Sequence, residues 1–477
     1  MIKLKNICCI GAGYVGGPTM AVFADKCPHL KINVVDINED RIKAWNSQKL
    51  DDLPVFEPGL DLIIKKCRNK NLYFSTNIEE KIKNADIIFI SVNTPTKEKG
   101  IGAGKVSDLK WVEASARQVA KFASGHTIVV EKSTLPVKTA EVIKTILEAA
   151  QSSPDNESKA SFDVLSNPEF LAEGSAIKDL VKPDRVLIGG ENKEAINALS
   201  EIYKNWVPSE KILHTNIWSS ELAKLTANAF LAQRVSSINS ISAICEATGA
   251  DVREVSRAIG SDSRIGSKFL DSGPGFGGSC FKKDILNLVY LCQYFGLPEV
   301  AKFWEEVVRL NEWHQHRISK LIVKKLFGTI SGKKIAILGF AFKANTNDTR
   351  ESAAITICKD LIEEGAFLAI HDPKVDPAQI KKDLCIEESV ENDLKTLKDI
   401  PISDGAWFFS DEIKNTLIGA DAAVILTEWD IYKKINWIEM SKIMRRPSWV
   451  FDARSTLLLT EQFKEAGLNY WRIGDGS

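Results

Sequence analysis

Cys280 lies at a position in the sequence where a thiol becomes reactive. The sequence GFGGSCFKKD (275–284) places it after several glycines and at the start of an apolar-periodic segment that predicts a helix. A thiol at a helix N-terminus with lysines nearby ionises more readily, and the glycines leave room for a substrate above the sulfur. Asp284, one turn along, shares its face of the helix. The pattern predicts a nucleophile. The alternative is a buried small apolar side chain, which is our interpretation of Cys8, Cys9, Cys245, Cys292 and Cys358.

Two pairs of polar side chains occur at helical spacing elsewhere. ELAKLTANAF places Lys224 and Asn228 four residues apart on a long predicted helix, and hence on one face. In LSNPEFLAEG, Asn167 has the character of an N-cap followed by a proline, so Glu169 and Glu173 are expected one turn apart. Each pair has an ordinary alternative, a solvated stripe for the first and complementarity to the helix dipole for the second.

A glycine-rich turn, GAGYVG, follows a strand pattern and precedes a helix pattern. Gly11 permits the tight turn, Gly13 lets the backbone approach a pyrophosphate, and Gly16 allows close packing of helix on strand. The N–H groups at the start of the helix attract phosphate charge. The next strand ends in Asp36, twenty residues after Gly16, where a carboxylate binds ribose hydroxyls and repels a 2′-phosphate. The motif predicts an NAD site.

Two later strands end in polar segments at the same edge of the predicted sheet. SVNTPT (91–96) follows the fourth strand, and EKST (131–134) ends the next one. Ligands of open α/β sheets bind at the carboxyl ends of the strands. We therefore expect cofactor contacts from the first segment, whose alternative is a simple Thr-Pro turn. Ser133 and Thr134 should face the nicotinamide side.

A second strand–helix pattern begins at Gly332, with ILGFAFK where a dinucleotide fold would need GxGxxG. Phe340 and Phe342 would block close approach to a pyrophosphate, so this region is expected to bind something other than NAD. Basic side chains at its strand ends suit a ligand that carries phosphate, although any one of them alone reads equally as surface charge. These residues are Lys343, Arg350 and Arg454.

The elements that position these residues fall into three predicted regions. Residues 1–216 alternate strand and helix patterns and predict an α/β domain, a Rossmann-type doubly wound sheet that binds NAD. Residues 217–328 predict a central helical domain with a helix of about thirty residues, a plausible dimerisation spine. Residues 329–477 predict a second α/β, Rossmann-like domain whose ligand carries phosphate.

Composition narrows the class of protein. The chain has 477 residues, 44% of them hydrophobic, with 62 basic and 63 acidic side chains. The near-zero net charge gives no general attraction to nucleic acid or to an anionic membrane. Nine scattered cysteines favour a reducing, cytoplasmic setting. No stretch approaches the roughly 18 uncharged apolar residues of a membrane span. Zinc-type spacings such as HExxH do not occur in the sequence, which predicts no catalytic metal.

Taken together, the motifs resemble those of the UDP-glucose dehydrogenase family, in particular its animal-type members, from about residue 4 to 470. They are GAGYVGGPT, NTPT, EKSTLP, LSNPEFLAEG, ELAKLTANAFLAQR, GFGGSCFKKD, ILGFAFKANTNDTRES, TEWD and FDAR. The resemblance implies a four-electron oxidation of UDP-glucose to UDP-glucuronate with two NAD⁺ and one water. It also implies that Cys280 captures the aldehyde as a thiohemiacetal, which becomes a thioester and is then hydrolysed.

The same resemblance implies a role for each residue. Lys224 would stabilise the developing alkoxide with Asn228, while Asp284 and Glu169 would handle protons and water, helped by Thr134. The implied cofactor contacts are Gly11, Ala12, Gly13, Tyr14, Val15, Gly16, Asp36, Arg41, Val92, Asn93, Thr94, Pro95, Thr96, Ser133, Thr134, Glu173 and Arg350. The implied substrate contacts are Glu169, Phe170, Leu171, Ala172, Glu173, Lys224, Asn228, Arg264, Asp271, Ser272, Gly273, Pro274, Gly275, Phe276, Gly277, Phe342, Lys343 and Arg454.

The resemblance further implies self-association as a dimer or hexamer, and inhibition by UDP-xylose through an allosteric switch in the loop from EKST to Lys138. Asp271 departs from the animal-type pattern, which has a basic residue there. Three alternatives stay open. One is the same chemistry on GDP-mannose or a UDP-N-acetylhexosamine. Another is a single-step dehydrogenase of the hydroxyacyl or phosphogluconate type, in which Cys280 is structural. The third is a non-catalytic NAD-binding scaffold.

Overall fold

The computed structural model describes residues 4–133, 138–151, 160–389, 405–457 and 460–476. The chain divides into two compact units. The first contains residues 1–227 and 286–301, and the second contains residues 228–285 and 302–477. The division into 1–216, 217–328 and 329–477 remains a prediction.

The first unit contains a sheet of eight strands among the described residues. They are β1 Asn6–Ile10, β2 Lys31–Val35, β3 Leu72–Ser75, β4 Ile87–Ile90, β5 His126–Glu131, β6 Ser161–Ser166, β7 Val186–Gly189 and β8 Ile212–Thr215. Their spatial order is β3-β2-β1-β4-β5-β6-β7-β8, and the described neighbours are parallel except β6 with β7. The order of the first six strands is that of the dinucleotide-binding fold, which confirms the predicted doubly wound sheet.

Helices connect these strands, and the sheet is buried on both faces. The helices are α1 Gly16–Lys26, α2 Glu39–Asn46, α3 Leu60–Cys67, α4 Ile78–Lys83, α5 Lys110–Phe122, α6 Thr139–Gln151, α7 Ala176–Val181 and α8 Lys193–Tyr203. Along β1, Ile7 and Cys9 pack into one core, and Cys8 and Ile10 into the other. Such two-sided burial explains why the strands read as continuous apolar runs, and it confirms the structural interpretation of both cysteines.

Four further helices follow β8: α9 Ile217–Thr248, α10 Val252–Gly260, α11 Phe281–Tyr294 and α12 Pro298–Lys325. With 32 residues, α9 confirms the predicted long helix. The residues of α9, α11 and α12 are shared between the two units. Within the second unit, Ile238 and Cys245 of α9 pack with Val252 of α10.

The second unit contains a sheet of six strands in the part of the chain that the structure describes. They are β9 Lys334–Leu338, β10 Phe367–His371, β11 Ala406–Phe409, β12 Ala422–Ile425, β13 Trp449–Asp452 and β14 Asn469–Arg472. Their order is β11-β10-β9-β12-β13-β14, all parallel. The helices are α13 Ala353–Glu363, α14 Pro377–Leu384, α15 Ile413–Leu417, α16 Trp437–Met440 and α17 Thr460–Ala466. The predicted second α/β region is confirmed, with two short edge strands, β11 and β14, beyond the four expected.

The turn after the first strand is built in the same way in both units. Gly11 has φ +108° and donates to Val35 O at 2.8 Å, and Gly339 has φ +98° and donates to His371 O at 2.8 Å. An aspartate follows the second strand in each unit and accepts from the turn, since Ala12 N lies 2.9 Å from Asp36 and Phe340 N lies 2.8 Å from Asp372. The two sheets therefore repeat one architecture in strand order and in the first turn.

Candidate active site

The three glycines of the first turn have different surroundings. A Cβ on Gly11 would lie 2.1 Å from Ser91 O, and one on Gly16 would lie 2.0 Å from Gly11 O. Nothing lies within 4 Å of a Cβ built on Gly13. Gly11 and Gly16 are therefore required by close backbone packing, whereas Gly13 leaves open space at the start of α1. Such space beside a helix N-terminus fits a dinucleotide pyrophosphate.

Asp36 comes directly after β2 and is buried, and it organises this turn. Its carboxylate accepts from Ala12 N at 2.9 Å and from Asn38 N at 2.9 Å. Arg41 Nη1 lies 3.2 Å from the same carboxylate. Because these donors fix its orientation, Asp36 is a preorganised acceptor beside the open space at Gly13.

The segment Val92–Thr96 follows β4, and Ser133 follows β5, as the sequence predicts. Ser133 Oγ donates to Val92 O at 2.8 Å, which joins the ends of these two strands. Thr94 is buried. Thr134, predicted to face the nicotinamide, lies outside the described residues.

The prediction of a helix starting at Asn167 is wrong. The residues from Asn167 to Ala172 form no helix, and α7 begins only at Ala176. The Asn167 side chain does not cap, because its Nδ2 donates to Leu187 O at 2.8 Å. Pro168 restricts the residue before it to extended geometry. Glu169 and Glu173 are therefore held on an irregular segment, not one helical turn apart.

Glu169 and Lys224 are brought together within the first unit. Lys224 Nζ lies 3.4 Å from Glu169 Oε1, and each side chain is only 5% exposed. Phe170 packs beside them, with Lys224 Nζ 5.6 Å and Arg185 Cζ 3.7 Å from its ring centroid. An ion pair shielded from water in this way interacts more strongly than one at the surface. The predicted substrate residues Glu169, Phe170 and Lys224 thus form one cluster.

Sequence reasoning missed a second buried lysine beside this cluster. Lys132 Nζ donates to Asn167 Oδ1 at 3.0 Å, and Tyr203 OH donates to the same oxygen at 2.6 Å. Burial lowers the pKa of Lys132 to about 8, opposed by the charge of Glu169. The signal available in the sequence was a charged residue directly after a buried strand, at the ligand-binding edge of the sheet.

Sequence reasoning also missed Glu57, a buried carboxylate that holds the other end of this irregular segment. Its two oxygens accept from Gly174 N at 2.7 Å and from Ala176 N at 3.0 Å. The segment that carries Glu169 and Glu173 is thus fixed at both ends by side chains distant in sequence.

In the second unit, Cys280 immediately precedes α11. Asp284 N donates to Cys280 O at 2.8 Å, so Cys280 starts the helical hydrogen bonding, and Ser279 Oγ lies 3.4 Å from its sulfur. All nine cysteines lie in described residues and none forms a disulfide; Cys280 is half-buried and Cys385 is exposed, whereas the other seven are buried. Burial raises the pKa of the Cys8, Cys9 and Cys358 thiols, which opposes reactivity there.

Asp284 is fully buried, one turn after Cys280. Asn228 Nδ2, from α9, donates to Asp284 Oδ2 at 2.6 Å. Asp284 therefore follows Cys280 by one helical turn, as the sequence predicts, and Asn228 contacts the Asp284 carboxylate. Lys224 precedes Asn228 by one turn of α9.

One lysine at the start of α11 is already paired. Lys282 Nζ lies 3.1 Å from Glu351 and 3.2 Å from Glu312. Its positive charge is partly offset by these carboxylates, so stabilisation of a thiolate at Cys280 depends more on the N-terminal N–H groups of the helix.

The glycine-rich loop before Cys280 packs closely against neighbouring segments of the second unit. A Cβ on Gly275 would lie 2.8 Å from Asn311 Oδ1, and one on Gly277 would lie 2.4 Å from Glu351 O. A Cβ on Gly278 would lie 3.0 Å from the ring of Phe342. These glycines are required by packing, a reason that differs from the open space expected from the sequence.

The predicted substrate residues of the second unit divide into two groups. Arg454 joins the loop to Phe342, since its Nη2 donates to Phe342 O at 2.6 Å and its Nη1 lies 3.3 Å from the Cβ position of Gly273. Lys343 Nζ lies 5.4 Å from the Phe342 ring centroid. Arg264, by contrast, is 87% exposed and paired with Asp262, and Asp271 is exposed.

Arg350, predicted to contact the cofactor, is paired with Asp348 at 2.5 Å. Its carbonyl accepts from Gly278 N at 2.8 Å. In the second unit it therefore supports the glycine-rich loop through its backbone.

Two structural features bear on the broad class of protein. Among the described residues, no helix combines the length and apolar character needed to cross a membrane. Within the same residues, no group of three or more histidine, cysteine, aspartate or glutamate side chains is arranged to hold a metal ion.

The sequence matches three domains of one family along its length. Residues 5–207 match the NAD binding domain of the UDP-glucose/GDP-mannose dehydrogenase family, 218–313 its central domain, and 336–458 its UDP binding domain.

Curated relatives and solved structures agree with these matches. UDP-glucose 6-dehydrogenase of Drosophila melanogaster is 54% identical, with 98% of this chain and 96% of the relative covered. UDP-glucose 6-dehydrogenase 3 of Arabidopsis thaliana is 52% identical, with 99% and 97% covered. The structure is similar to that of a UDP-glucose dehydrogenase from Pyrobaculum islandicum, with TM-score 0.82, 27% identity, and 100% and 98% coverage.

Proposed function

The chain belongs to the UDP-glucose/GDP-mannose dehydrogenase family, and we propose that it oxidises UDP-glucose to UDP-glucuronate through a covalent intermediate on Cys280. It is an NAD-dependent dehydrogenase of UDP-glucose. The observation that carries the covalent route is the position of Cys280, a half-buried thiol at the start of α11 with a buried carboxylate one turn along.

The first turn of the sheet fits the cofactor. The open space at Gly13 would hold the pyrophosphate at the N-terminus of α1, and Asp36 would bind the ribose hydroxyls. When bound, NAD⁺ accepts a hydride from carbon 6 of the sugar, once in each oxidation. The charge of Asp36 repels a 2′-phosphate and selects NAD over NADP.

Lys224 and Glu169 serve the alcohol oxidation. As the proton leaves the 6-hydroxyl, the Lys224 ammonium stabilises the developing negative charge on oxygen. This group is 5% exposed and 3.4 Å from Glu169, and charge stabilisation is strongest where water is excluded. Glu169, paired with that ammonium, orients it and accepts the proton that leaves the 6-hydroxyl.

Cys280 serves the aldehyde oxidation. Its thiolate sulfur bonds to carbon 6, the carbonyl π bond breaks, and the oxygen takes a proton to give a thiohemiacetal. Loss of a second hydride and of that proton gives a thioester. Water then adds to the thioester carbonyl and the carbon–sulfur bond breaks, which releases the carboxylate product and the thiolate. Asp284, oriented by Asn228, takes a proton from the attacking water.

The same chemistry on GDP-mannose or a UDP-N-acetylhexosamine is the nearest alternative. A UDP-D-ManNAc dehydrogenase of Pyrococcus horikoshii has a similar structure, with TM-score 0.79, 26% identity, and 99% of each chain covered. The curated relatives from Drosophila melanogaster and Arabidopsis thaliana, at 54% and 52% identity, are UDP-glucose 6-dehydrogenases, which favours UDP-glucose. Comparison of kcat/KM on the three sugar nucleotides separates these substrates.

The stoichiometry of reduced cofactor tests the covalent route. Two NADH per UDP-glucose consumed support it, and one NADH per sugar would identify a single-step dehydrogenase with a structural Cys280. Cys280→Ala is expected to abolish release of UDP-glucuronate while leaving UDP-glucose binding within about tenfold. The exposed Cys385 supplies the control, because Cys385→Ala should keep full turnover.

Self-association is part of the proposal. Along its length α9 exposes large apolar side chains, namely Trp218, Leu222, Phe230 and Ile244. Exposed large apolar side chains are favourable to bury against a second copy. Sedimentation of Leu222→Glu against the unmodified protein tests it, since an unchanged assembly would exclude this part of α9 from the contact.

Regulation by UDP-xylose and a cytoplasmic location complete the proposal. The start of α6 is held by Glu221, which accepts from Lys138 N at 2.7 Å and Ala140 N at 2.8 Å. A shift of α6 would have to break both hydrogen bonds. These two bonds can therefore hold α6 in one of two conformations, as a regulatory change requires. Plain competitive inhibition by UDP-xylose, without lag or change of assembly, would remove regulation from the proposal.

A further inference from the structure

Gly273, in the glycine-rich loop of the second unit, has both backbone groups bound by side chains. Its N–H donates to Asn239 Oδ1 at 3.0 Å, and its carbonyl accepts from His314 Nε2 at 2.9 Å. Asn239 belongs to α9 and His314 to α12. Asn239 and His314 thus satisfy the N–H and the carbonyl group of Gly273, which in a sheet would bond to a neighbouring strand.

Phe276 is held in the same manner by a single amide. Asn311 Oδ1 accepts from Phe276 N at 2.9 Å, and Asn311 Nδ2 donates to Phe276 O at 3.1 Å. A primary amide matches the donor and acceptor of one backbone residue, so both bonds form at once. Gly275 lies directly beside this amide, with 2.8 Å between its Cβ position and Asn311 Oδ1. Any larger residue at 275 would displace the amide.

The three side chains that hold the loop are buried: Asn239 is 1%, Asn311 5% and His314 0% exposed. Buried polar groups of this kind are costly unless they are hydrogen-bonded. Burial lowers the pKa of His314 to about 3, with a further contribution from Arg317. The imidazole is therefore neutral at physiological pH, and its Nε2–H is the donor to the Gly273 carbonyl.

We infer that Asn239, Asn311 and His314 are positioning residues that fix the backbone of residues 273–276 in the geometry that binds the sugar nucleotide. The inference rests on the proposed assignment of residues 271–277 to the substrate. We call these three side chains the loop clamp. The loop clamp binds both the N–H and the carbonyl group of Gly273 and of Phe276. The remaining groups of the loop, which the clamp holds in place, then contact the ligand.

The physical consequence is a lower entropic cost of binding. A glycine-rich loop without these bonds samples many conformations, and a ligand would have to order it. Loss of the clamp should therefore weaken UDP-glucose binding and leave NAD⁺ binding at the first unit unchanged. A general loss of stability would instead weaken both.

Two substitutions at Asn311 and one matched control test the clamp. Asn311→Leu keeps the size and removes both bonds to Phe276. Asn311→Asp keeps the acceptor for Phe276 N–H and removes the donor. Asn287→Leu is the control, because Asn287 is also buried and forms two hydrogen bonds with Ser107. Its Oδ1 accepts from Ser107 N at 3.0 Å, and its Nδ2 donates to Ser107 Oγ at 2.8 Å. Each protein is measured for hydrogen exchange at Phe276 and Ser107, and for Kd of UDP-glucose and NAD⁺.

Asn311→Leu should speed exchange at Phe276 and raise the Kd of UDP-glucose, each by about tenfold or more, with NAD⁺ affinity within about twofold. Amide exchange at Phe276 should be slower in Asn311→Asp than in Asn311→Leu, because the acceptor for Phe276 N–H is kept. The control should speed exchange at Ser107 and leave Phe276 unchanged.

Unchanged exchange at Phe276 in Asn311→Leu would overturn the clamp. Fast exchange at Phe276 with unchanged UDP-glucose affinity would leave the clamp in place and overturn the assignment of the loop to the substrate. If Asn311→Leu does not fold, the comparison of Asn311→Asp with His314→Gln, which keeps a donor to Gly273, decides the same two questions.

Discussion

Asn228 donates a 2.6 Å hydrogen bond to Asp284, and this contact orients a fully buried carboxylate one turn from Cys280. A carboxylate without water depends on such donors for its orientation and for the free energy of its charged form. The bond therefore links the geometry of α9 to the proton chemistry proposed at the start of α11.

We expect Asp284→Asn to separate activity from stability. The amide preserves the size but cannot take a proton, so kcat should fall by about 10²- to 10⁴-fold. The melting temperature should not fall, because a buried charge is replaced by a neutral group. Absorbance of NADH and differential scanning fluorimetry measure the two effects. Asp430→Asn, an exposed carboxylate paired with Lys433, is the control, and a kcat for Asp284→Asn near that control would contradict the assigned role.

The glycine turn offers a matched pair of substitutions. A methyl group on Gly13 meets no protein atom within 4 Å, whereas one on Gly16 would lie 2.0 Å from Gly11 O. Gly13→Ala should therefore fold normally and lose NAD⁺ affinity, and Gly16→Ala should lose stability. Isothermal titration and thermal melting distinguish the two. Full NAD⁺ affinity in Gly13→Ala would place the pyrophosphate elsewhere.

Asp36→Asn should weaken NAD⁺ binding by about tenfold to a hundredfold, because a charge-assisted bond to the ribose becomes a neutral one. Discrimination against NADP⁺ should fall at the same time, since the repulsion of the 2′-phosphate is gone. The ratio of kcat/KM values for NAD⁺ and NADP⁺ measures this.

Asp372→Asn is the control for that ratio, because Asp372 holds the equivalent turn of the second unit. It should lower the melting temperature without moving the cofactor preference. An equal change of preference in both variants would argue against Asp36 as the selecting group.

The pKa of Lys132, lowered from 10.5 to about 8 by burial, predicts a pH dependence of stability. Between pH 8 and 10.5 the unfolded chain holds a proton on this lysine that the folded chain does not. The free energy of unfolding therefore rises with pH across that window. The Lys132→Met variant lacks this pH dependence. Its free energy of unfolding, taken relative to that of the unmodified protein, should therefore fall by roughly 3 kcal/mol between pH 7 and a pH above 10.

Urea unfolding at several pH values measures this difference. Lys320→Met, at an exposed position on α12, should show a difference independent of pH. If the Lys132→Met difference is equally flat, the lysine is not the buried charge that the structure indicates.

Local sequence patterns were sufficient to predict much of this molecule. The glycine turn at 11–16, the long helix α9 and the placement of Cys280 before α11 each follow from signals within one segment of chain. Strand β14, with the sequence NYWR, was missed because it is a short edge strand without β-branched residues. The error at Asn167 has a different cause: Lys132 and Leu187, distant in sequence, take the side chain that a local pattern assigned to a helix cap.

The loop clamp was beyond local patterns for the same reason. Asn311 and His314 lie on a helix rich in charged residues, where polar side chains ordinarily indicate the solvated face. Their partners at Phe276 and Gly273 are separated from them by 35 and 41 residues. Only the packing of α12 against the loop shows that these polar residues face inward.

The duplicated turn has a consequence for the order of events in catalysis. Asp372 accepts from Phe340 N, Ala341 N, Lys374 N, Val375 N and Trp429 Nε1, so its oxygens are saturated and a ribose finds no acceptor there. Of the two equivalent turns in the described residues, one is then open to a dinucleotide, whereas the complete oxidation consumes two NAD⁺. The first NADH therefore has to dissociate and a second NAD⁺ has to bind while the half-oxidised sugar remains bound to the protein.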